Sequence, residues 1–261
     1  MKNVYTKVVK VKQTVPEAII QVIKNSDIIL CVLDARYISE TRNIYIEEKM
    51  KEMNKKIIYI VNKIDLVRKI DHEELEKFSP SILVSCWTRK GVNELRTQIK
   101  IMAKQLNKEP VYVGVVGYPN TGKSSVINLI LGRKEIVKTS SVAGFTKGVQ
   151  MLKFGDGINI YDSPGVIPPT ERFANSTKLA KIGVKSFDRT EDPEMFVHEL
   201  MKEYPGLFER YYKINTEGDS EKFIEEFGKK RGTMLKKGEI DTDRAARMIL
   251  RDWQCGKIKA K

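Results

Sequence analysis

Short aliphatic runs alternate along the first two thirds of the chain with stretches whose apolar side chains recur every three or four positions. The runs at 28–33, 57–61, 82–85 and 111–116 are rich in Ile and Val and short enough to be buried strands. Helical spacing is found near 42–53 and again from Val92, where Val92, Leu95, Ile99, Met102 and Leu106 fall on one face and form core. A further helix is predicted over 124–131, then a polar segment rich in Lys, Ser and Thr over 132–148. The runs 149–154 and 158–161 flank Asp156-Gly157 and predict an antiparallel hairpin. Strand and helix in alternation mean an α/β domain, a mostly parallel sheet with helices on both faces. Beyond Pro168-Pro169 the strand signals stop, and helices are predicted over 193–203, 220–229 and 242–253, with Asp241 as N-cap of the last. The boundary is expected near 170–177, giving an α/β domain over 1–172 and a small all-helical domain over 173–261. No internal repeat or low-complexity tract is evident.

At 261 residues the chain is long enough for one large and one small domain. It carries 47 basic and 34 acidic residues, a formal charge of +13. That surplus favours a polyanionic partner, nucleic acid before an anionic membrane, the alternative being a generally basic surface with no special partner. Cys31, Cys86 and Cys255 are too far apart for a zinc motif or a disulfide framework, and two of them sit in apolar runs as small buried side chains. No apolar run approaches the ~18 residues needed to span a bilayer. Residues 1–12 alternate Lys and Val, unlike a secretory signal. A reducing, cytoplasmic setting without a membrane is therefore expected.

The most specific local pattern is Gly117-Tyr-Pro-Asn-Thr-Gly-Lys-Ser124, a GxxxxGK[ST] match between a predicted strand and a predicted helix. Such a loop lets backbone N–H groups converge on phosphate oxygens at a helix N-terminus. Asn120, Thr121, Gly122, Lys123, Ser124 and Ser125 are the expected phosphate contacts. Lys123 would neutralise the β and γ phosphates, and Ser124 would ligate magnesium. This loop alone does not choose between ATP and GTP, or between hydrolase and kinase.

The discriminating segment is Asn62-Lys63-Ile64-Asp65, directly after a predicted strand. A carboxylate at Asp65 can accept hydrogen bonds from the N1–H and exocyclic amine of guanine, which adenine cannot offer. Lys63 can lay its aliphatic stem over the base, and Asn62 can brace the loop. Ser85-Cys86-Trp87 ends a later strand, where a backbone N–H could meet guanine O6. A site of this kind rejects the wrong base through unpaired polar groups. Alone, the motif could equally be a strand-end turn. Asp162-Ser-Pro-Gly165 follows the hairpin, so that Asp162 can hold magnesium through water and the Gly165 N–H can sense the γ-phosphate. Thr146 is the candidate for completing the magnesium shell, with Thr139, Ser140 and Ser141 as rivals. Lys123, Thr146, Asp162 and Gly165 form the expected catalytic set.

These parts stand in an unusual order, the base motif preceding the phosphate loop by about fifty residues. A parallel sheet permits this, because its ligands lie at the carboxyl edge whatever the chain order, and domains with neighbouring termini tolerate permutation. One consequence is that the γ-phosphate loop at 162–165 leads directly into the helical tail, which suits a switch that moves it.

The block Gly114-Val-Val-Gly-Tyr-Pro-Asn-Thr-Gly-Lys-Ser-Ser-Val-Ile-Asn128 resembles the phosphate loop of circularly permuted GTPases of the YlqF/RbgA (YawG) group. Asp34-Ala-Arg36, the segments 62–65 and 162–165, and the tail 239–256 with Ala245-Ala246 and Trp253 resemble that group too, so the likeness covers nearly the whole chain. It implies a ribosome-assembly GTPase that binds GTP or GDP with magnesium and acts on the large subunit under stimulation by rRNA; a monomer is expected. It also matches Asn120 to the family's potassium-linked asparagine. Val166 stands where many GTPases carry a catalytic Gln, as in the hydrophobic-substituted class to which the family belongs. Valine cannot orient water, so slow intrinsic hydrolysis is expected. Some members carry a catalytic His near the N-terminus, whereas here the histidines are His72 and His198, expected at the surface or in packing.

In the last helix Arg244, Arg247 and Arg251 are spaced to share one face, while Lys229, Lys230, Arg231, Lys236 and Lys237 bracket a Gly-containing loop upstream. This stripe suits RNA phosphates, the alternative being a solvated helix face. Trp87 and Trp253 are expected to pack rather than to stack on bases. Two other functions remain open: a P-loop kinase, which the guanine motif argues against, and a nucleotide-regulated RNA-binding module with negligible turnover.

Overall fold

In the computed structural model, the described residues are 15–132, 150–155, 157–168, 176–184, 186–236 and 238–259. The chain divides into two compact units, Met1–Arg172 and Phe173–Lys261.

The first unit is built on a six-stranded sheet in the order β3-β2-β1-β4-β6-β5. Its strands are β1 (Ile28–Asp34), β2 (Lys56–Asn62), β3 (Ser81–Leu83), β4 (Val111–Gly117), β5 (Gln150–Lys153) and β6 (Ile158–Asp162). All neighbours are parallel except β5 and β6, which form the predicted antiparallel pair. The central strand β1 is buried along its whole length, which is why it reads as an unbroken aliphatic run rather than an alternation. Its residues still divide by parity. Ile28, Leu30 and Val32 belong to an apolar cluster with α4 (Val92–Lys104) and α5 (Lys123–Leu131). Ile29, Cys31 and Leu33 face a second cluster with α1 (Val15–Asn25), α2 (Ile44–Glu52) and the short α3 (His72–Glu76), whose Leu75 packs against it. Helices therefore cover both faces.

The predicted face of α4 is borne out: Val92, Leu95 and Ile99 are buried, and Met102 and Leu106 pack against the same cluster. Helix α1 was not foreseen, although Ile19, Val22 and Ile23 bury one face of it at helical spacing. The Lys/Val alternation just upstream hides its start. The third strand is Ser81–Leu83 rather than 82–85, since Ser85 turns back to accept from the Thr88 N–H through its hydroxyl. Of the cysteines, Cys31 is buried, Cys86 half-buried and Cys255 exposed.

The second unit is helical among its described residues, with α6 (Ser176–Lys181), α7 (Pro193–Glu203), α8 (Leu207–Tyr212), α9 (Ser220–Arg231) and α10 (Thr242–Gln254). Asp241 caps α10 as predicted, accepting from the Arg244 N–H at 2.9 Å. Trp253 is buried against the rings of Tyr204 and Phe208 and donates its indole N–H to the Lys181 carbonyl at 3.1 Å. It packs, as expected. Among the described residues no helix is long and apolar enough to cross a membrane.

Candidate functional site

Five parallel strands end on one edge of the sheet, and the sequence-predicted residues lie just past those ends. Asn62 closes β2, Gly117 closes β4 and Asp162 closes β6. In register, Asp34 pairs with Asn62, Val32 with Gly117, and Val115 with Asp162. The chain passes from edge strand β3 to β4 on the far side of β1, so the carboxyl edge between β1 and β4 is the topological switch point where α/β sheets bind ligands.

The phosphate loop occupies that point. Gly122 lies at φ +97° and caps α5, placing Lys123 and Ser124 in its first turn, where backbone N–H groups have no helical partner. A Cβ on Gly122 would strike the Asn62 side-chain amide, so the glycine serves both the turn and the approach of a second loop. Lys123 is buried and donates to the Tyr118 carbonyl at 2.8 Å. Burial pushes its ammonium down to about 8 against the opposing pull of Asp162.

The two distant motifs are joined directly. The Asn62 Nδ2 donates to the Thr121 carbonyl at 2.9 Å. The Lys63 ammonium donates to the Asn120 carbonyl at 2.6 Å and to Asp34 Oδ2 at 2.6 Å. Lys63 itself takes a left-handed backbone, φ 66°, which turns the chain sharply at the strand end. On the same rim the Ser85 hydroxyl donates to Asp65 Oδ1 at 2.6 Å, and the Cys86 N–H approaches Asn62 Oδ1 at 3.4 Å. Burial and the nearby Asp65 charge push the Cys86 thiol up to about 12, keeping it neutral.

Local pattern gives Asp34 no role apart from the resemblance of Asp34-Ala-Arg36. It is 1% exposed, and its carboxylate takes the Arg36 guanidinium in two bonds (3.0 Å from Nε, 2.8 Å from Nη2) as well as Lys63. Burial alone would raise its pKa, but Lys63 and Arg36 outweigh burial and hold it well below the usual carboxylate range. Asn43 was also missed. It caps α2, accepting from the Ile46 N–H, and donates through Nδ2 to the Val166 carbonyl at 3.2 Å. An Asn just before a periodic apolar run was the available signal.

Opposite Lys123 lies the 162–165 segment. Ser124 Oγ donates to Asp162 Oδ2 at 3.1 Å, while Asp162 Oδ1 is buried with no hydrogen-bond partner. Burial pushes Asp162 up to about 6, with Lys123 and Ser124 acting the other way. A buried carboxylate oxygen left unsatisfied beside a hydroxyl fits a small hard cation. Among the described residues no cluster of three or more His, Cys, Asp or Glu could hold a metal. Gly165 comes so close to the phosphate loop that a Cβ would lie 2.6 Å from Pro119 Cα and 2.9 Å from Lys123 Nζ. Val166 is buried in the apolar cluster, its N–H directed to the Gly117 carbonyl at 3.4 Å. Thr146 and its rivals Thr139, Ser140 and Ser141 lie outside the described residues.

One expectation is overturned here. Trp87 does not pack: it is 87% exposed on the loop after β3. That loop turns back at once, and among the described residues no element covers the indole. In the second unit Arg244 and Arg251 are exposed. Arg247 is engaged with Asp243 at 2.7 Å and with the Phe187 carbonyl at 2.8 Å. Lys229 bonds Glu226, Lys230 bonds the Tyr212 carbonyl and Arg231 lies 5.5 Å from the Phe227 ring centre. Lys236 is exposed, and Lys237 lies outside the described residues. His72 and His198 are both at the surface.

A family model described as a 50S ribosome-binding GTPase matches residues 112–229. A GTP-binding protein of Methanocaldococcus jannaschii is 34% identical over 95% of this chain and 66% of its own length. Nucleolar GTP-binding protein 2 of Neurospora crassa is 33% identical over 91% of this chain and 40% of its own length, so this chain spans under half of that relative. The crystal structure of GNP-bound YlqF from T. maritima matches with a TM-score of 0.62 and 26% identity, over 94% of this chain and 95% of that one.

Proposed function

We propose that this chain, which belongs to the family of circularly permuted GTPases that includes YlqF, binds GTP, hydrolyses it to GDP and phosphate, and uses the bound state to time its association with a ribosomal precursor. The observation that carries this reading is the direct bonding of the two loops, Asn62 to Thr121 and Lys63 to Asn120, across ~60 residues of sequence.

In this reading the N–H groups from Gly122 to Ser125, with Asn120 and Thr121, cradle the phosphates, and Lys123 meets the β and γ oxygens. Asp65 accepts from the guanine edge while Ser85 fixes its orientation, and the Cys86 N–H serves guanine O6. Ser124 and, through water, Asp162 would hold magnesium, with Thr146 completing the shell; the ion supplies charge neutralisation across the transferring phosphate. Potassium near Asn120 would add charge on the same side. The Gly165 N–H would report the γ-phosphate. Water attacks the γ-phosphorus as its bond to the β–γ bridging oxygen breaks. Val166 offers that water no hydrogen bond, so turnover stays slow until the partner supplies a group.

The partner proposed is rRNA within a large ribosomal subunit or its precursor. The +13 charge supports it, as do the ribosomal and nucleolar descriptions of the matching family and relatives. The second unit would make the contact through Arg244, Arg251, Lys229, Lys230 and Lys236, and Arg231, Lys237 and Arg247 belong to the same proposed set. The buried Val166 also favours a second reading, a nucleotide-regulated RNA-binding protein with negligible turnover.

Two measurements test these readings. Phosphate release from GTP is expected to rise at least ten-fold when large subunits are added, by analogy with the size of partner-supplied charge effects, which reach about 10³–10⁵. No rise above the slow basal rate would favour the second reading. Co-sedimentation with subunits is expected to be stronger with a non-hydrolysable GTP analogue than with GDP. Reversing Arg244 and Arg251 to Glu should weaken that co-sedimentation about ten-fold at ~0.1 M salt and flatten its salt dependence, with GDP affinity unchanged. Normal co-sedimentation of that variant would remove the stripe from the proposal.

A further inference from the structure

We infer that Trp87 forms one face of the base pocket, stacking its indole on the guanine ring. The inference rests on the nucleotide site proposed above and adds to it a residue that grips the base through its flat face rather than its edge.

Trp87 is 87% exposed, whereas Trp253 is 2% exposed. An indole carries about 150–250 Å² of surface, and one held in water contributes nothing to a core. The loop that presents it is nonetheless tightly fixed. The Ser85 N–H donates to the Lys90 carbonyl at 3.1 Å, and the Thr88 N–H donates to Ser85 Oγ at 3.0 Å. Gly91 lies against the Leu83 carbonyl with no room for a Cβ. A short loop braced at both ends and bearing a fully presented aromatic residue is built for a ligand.

Its position names the ligand. Ser85, two residues before Trp87, bonds the Asp65 carboxylate, and Cys86, one residue before, approaches the Asn62 side chain. Both ends of the 62–65 segment are thus touched by the two residues that carry the indole. Lys63 has its ammonium pinned between Asp34 and Asn120, so its aliphatic stem is held taut on the same rim. Asp65 meets a purine only along its edge, which leaves two flat faces. The Lys63 stem suits one and the Trp87 indole the other. Aromatic stacking is indifferent to edge groups, because every base has a π face. Trp87 therefore governs how tightly a purine is held, and Asp65 governs which purine.

The test is calorimetric titration of the full chain with magnesium and GDP or inosine diphosphate, alongside tryptophan emission. Trp87→Ala is expected to weaken both nucleotides by the same factor, about ten-fold, within the range measured for base stacking. Trp87→Phe should stay within about three-fold of the unaltered chain. Emission should respond to GDP in the unaltered chain and not in Trp87→Phe, where only the buried Trp253 remains. Unchanged GDP affinity in Trp87→Ala, with emission indifferent to GDP in the unaltered chain, would overturn the inference and leave the nucleotide site standing. Loss of rRNA binding by Trp87→Ala at unchanged GDP affinity would overturn it in favour of an RNA-stacking surface. Absence of GDP binding by the unaltered chain would overturn the proposed function and this inference together.

Discussion

Replacing Asp65 by Asn is expected to weaken GDP binding about 10²–10⁴-fold while creating measurable affinity for xanthosine diphosphate. In the proposed pocket two charge-assisted hydrogen bonds to the guanine edge would be lost, at roughly 1.5–3 kcal/mol each, and every 1.4 kcal/mol is ten-fold. The surroundings bias how the new amide sits. Ser85 donates its hydroxyl to Asp65 Oδ1 at 2.6 Å, a bond the asparagine oxygen can keep. The NH₂ group then faces the base, repelling the guanine amine and donating to the carbonyl that xanthine carries in its place. Paired calorimetric titrations decide it, and an unchanged preference for GDP would remove Asp65 from the base pocket.

The second large effect is on stability. Asp34→Ala should lower the unfolding free energy by about 3–5 kcal/mol, measured by urea denaturation, because it leaves the Arg36 and Lys63 charges without their partner in a largely dry site. The side chains of Arg36 and Lys63 are 11% and 23% exposed, against 1% for Asp34, so water can compensate them only in part. The same variant frees Lys63 from one of its two anchors and should weaken GDP binding as well. Asp34→Asn keeps the shape and loses the charge, so a smaller loss is expected of it. The sign with pH follows from a carboxyl held below its ordinary value of 3.8. The stabilisation is present in full above that value and is lost as the pH falls toward the depressed value in the folded protein. A cost under about 1 kcal/mol for Asp34→Ala would mean that Arg36 and Lys63 find water instead.

These two carboxylates explain why permutation leaves the site intact. Asp34 ends β1, Asp65 follows β2 and the phosphate loop follows β4, yet Lys63 touches both Asp34 and the phosphate loop. The sheet edge sets their adjacency. Chain order only decides which strand is drawn first.

Periodicity and spacing in the sequence were enough for the α/β class, the strands at 28–33, 57–61 and 111–116, the hairpin, and the α4 and α10 faces. They also put the glycine-rich loop before Lys123, and Asn62, Asp65, Asp162 and Gly165, at strand ends, where the structure has them, because those signals are local: they record what a backbone must do over a few residues. What local pattern could not carry was decided by contacts between strands. The burial of Asp34 under Lys63, the hold of Asn43 on the Val166 carbonyl and the bond from Ser124 to Asp162 each join residues that only the sheet brings together. Trp87 is the clearest case. Its type suggested core, and only the tight turn from Ser85 to Lys90, closed by long-range contact with Asp65, leaves it standing in water. An aromatic side chain has the same composition whether it faces a core or a ligand, and what differs is the surface opposite it, which the folded chain alone supplies.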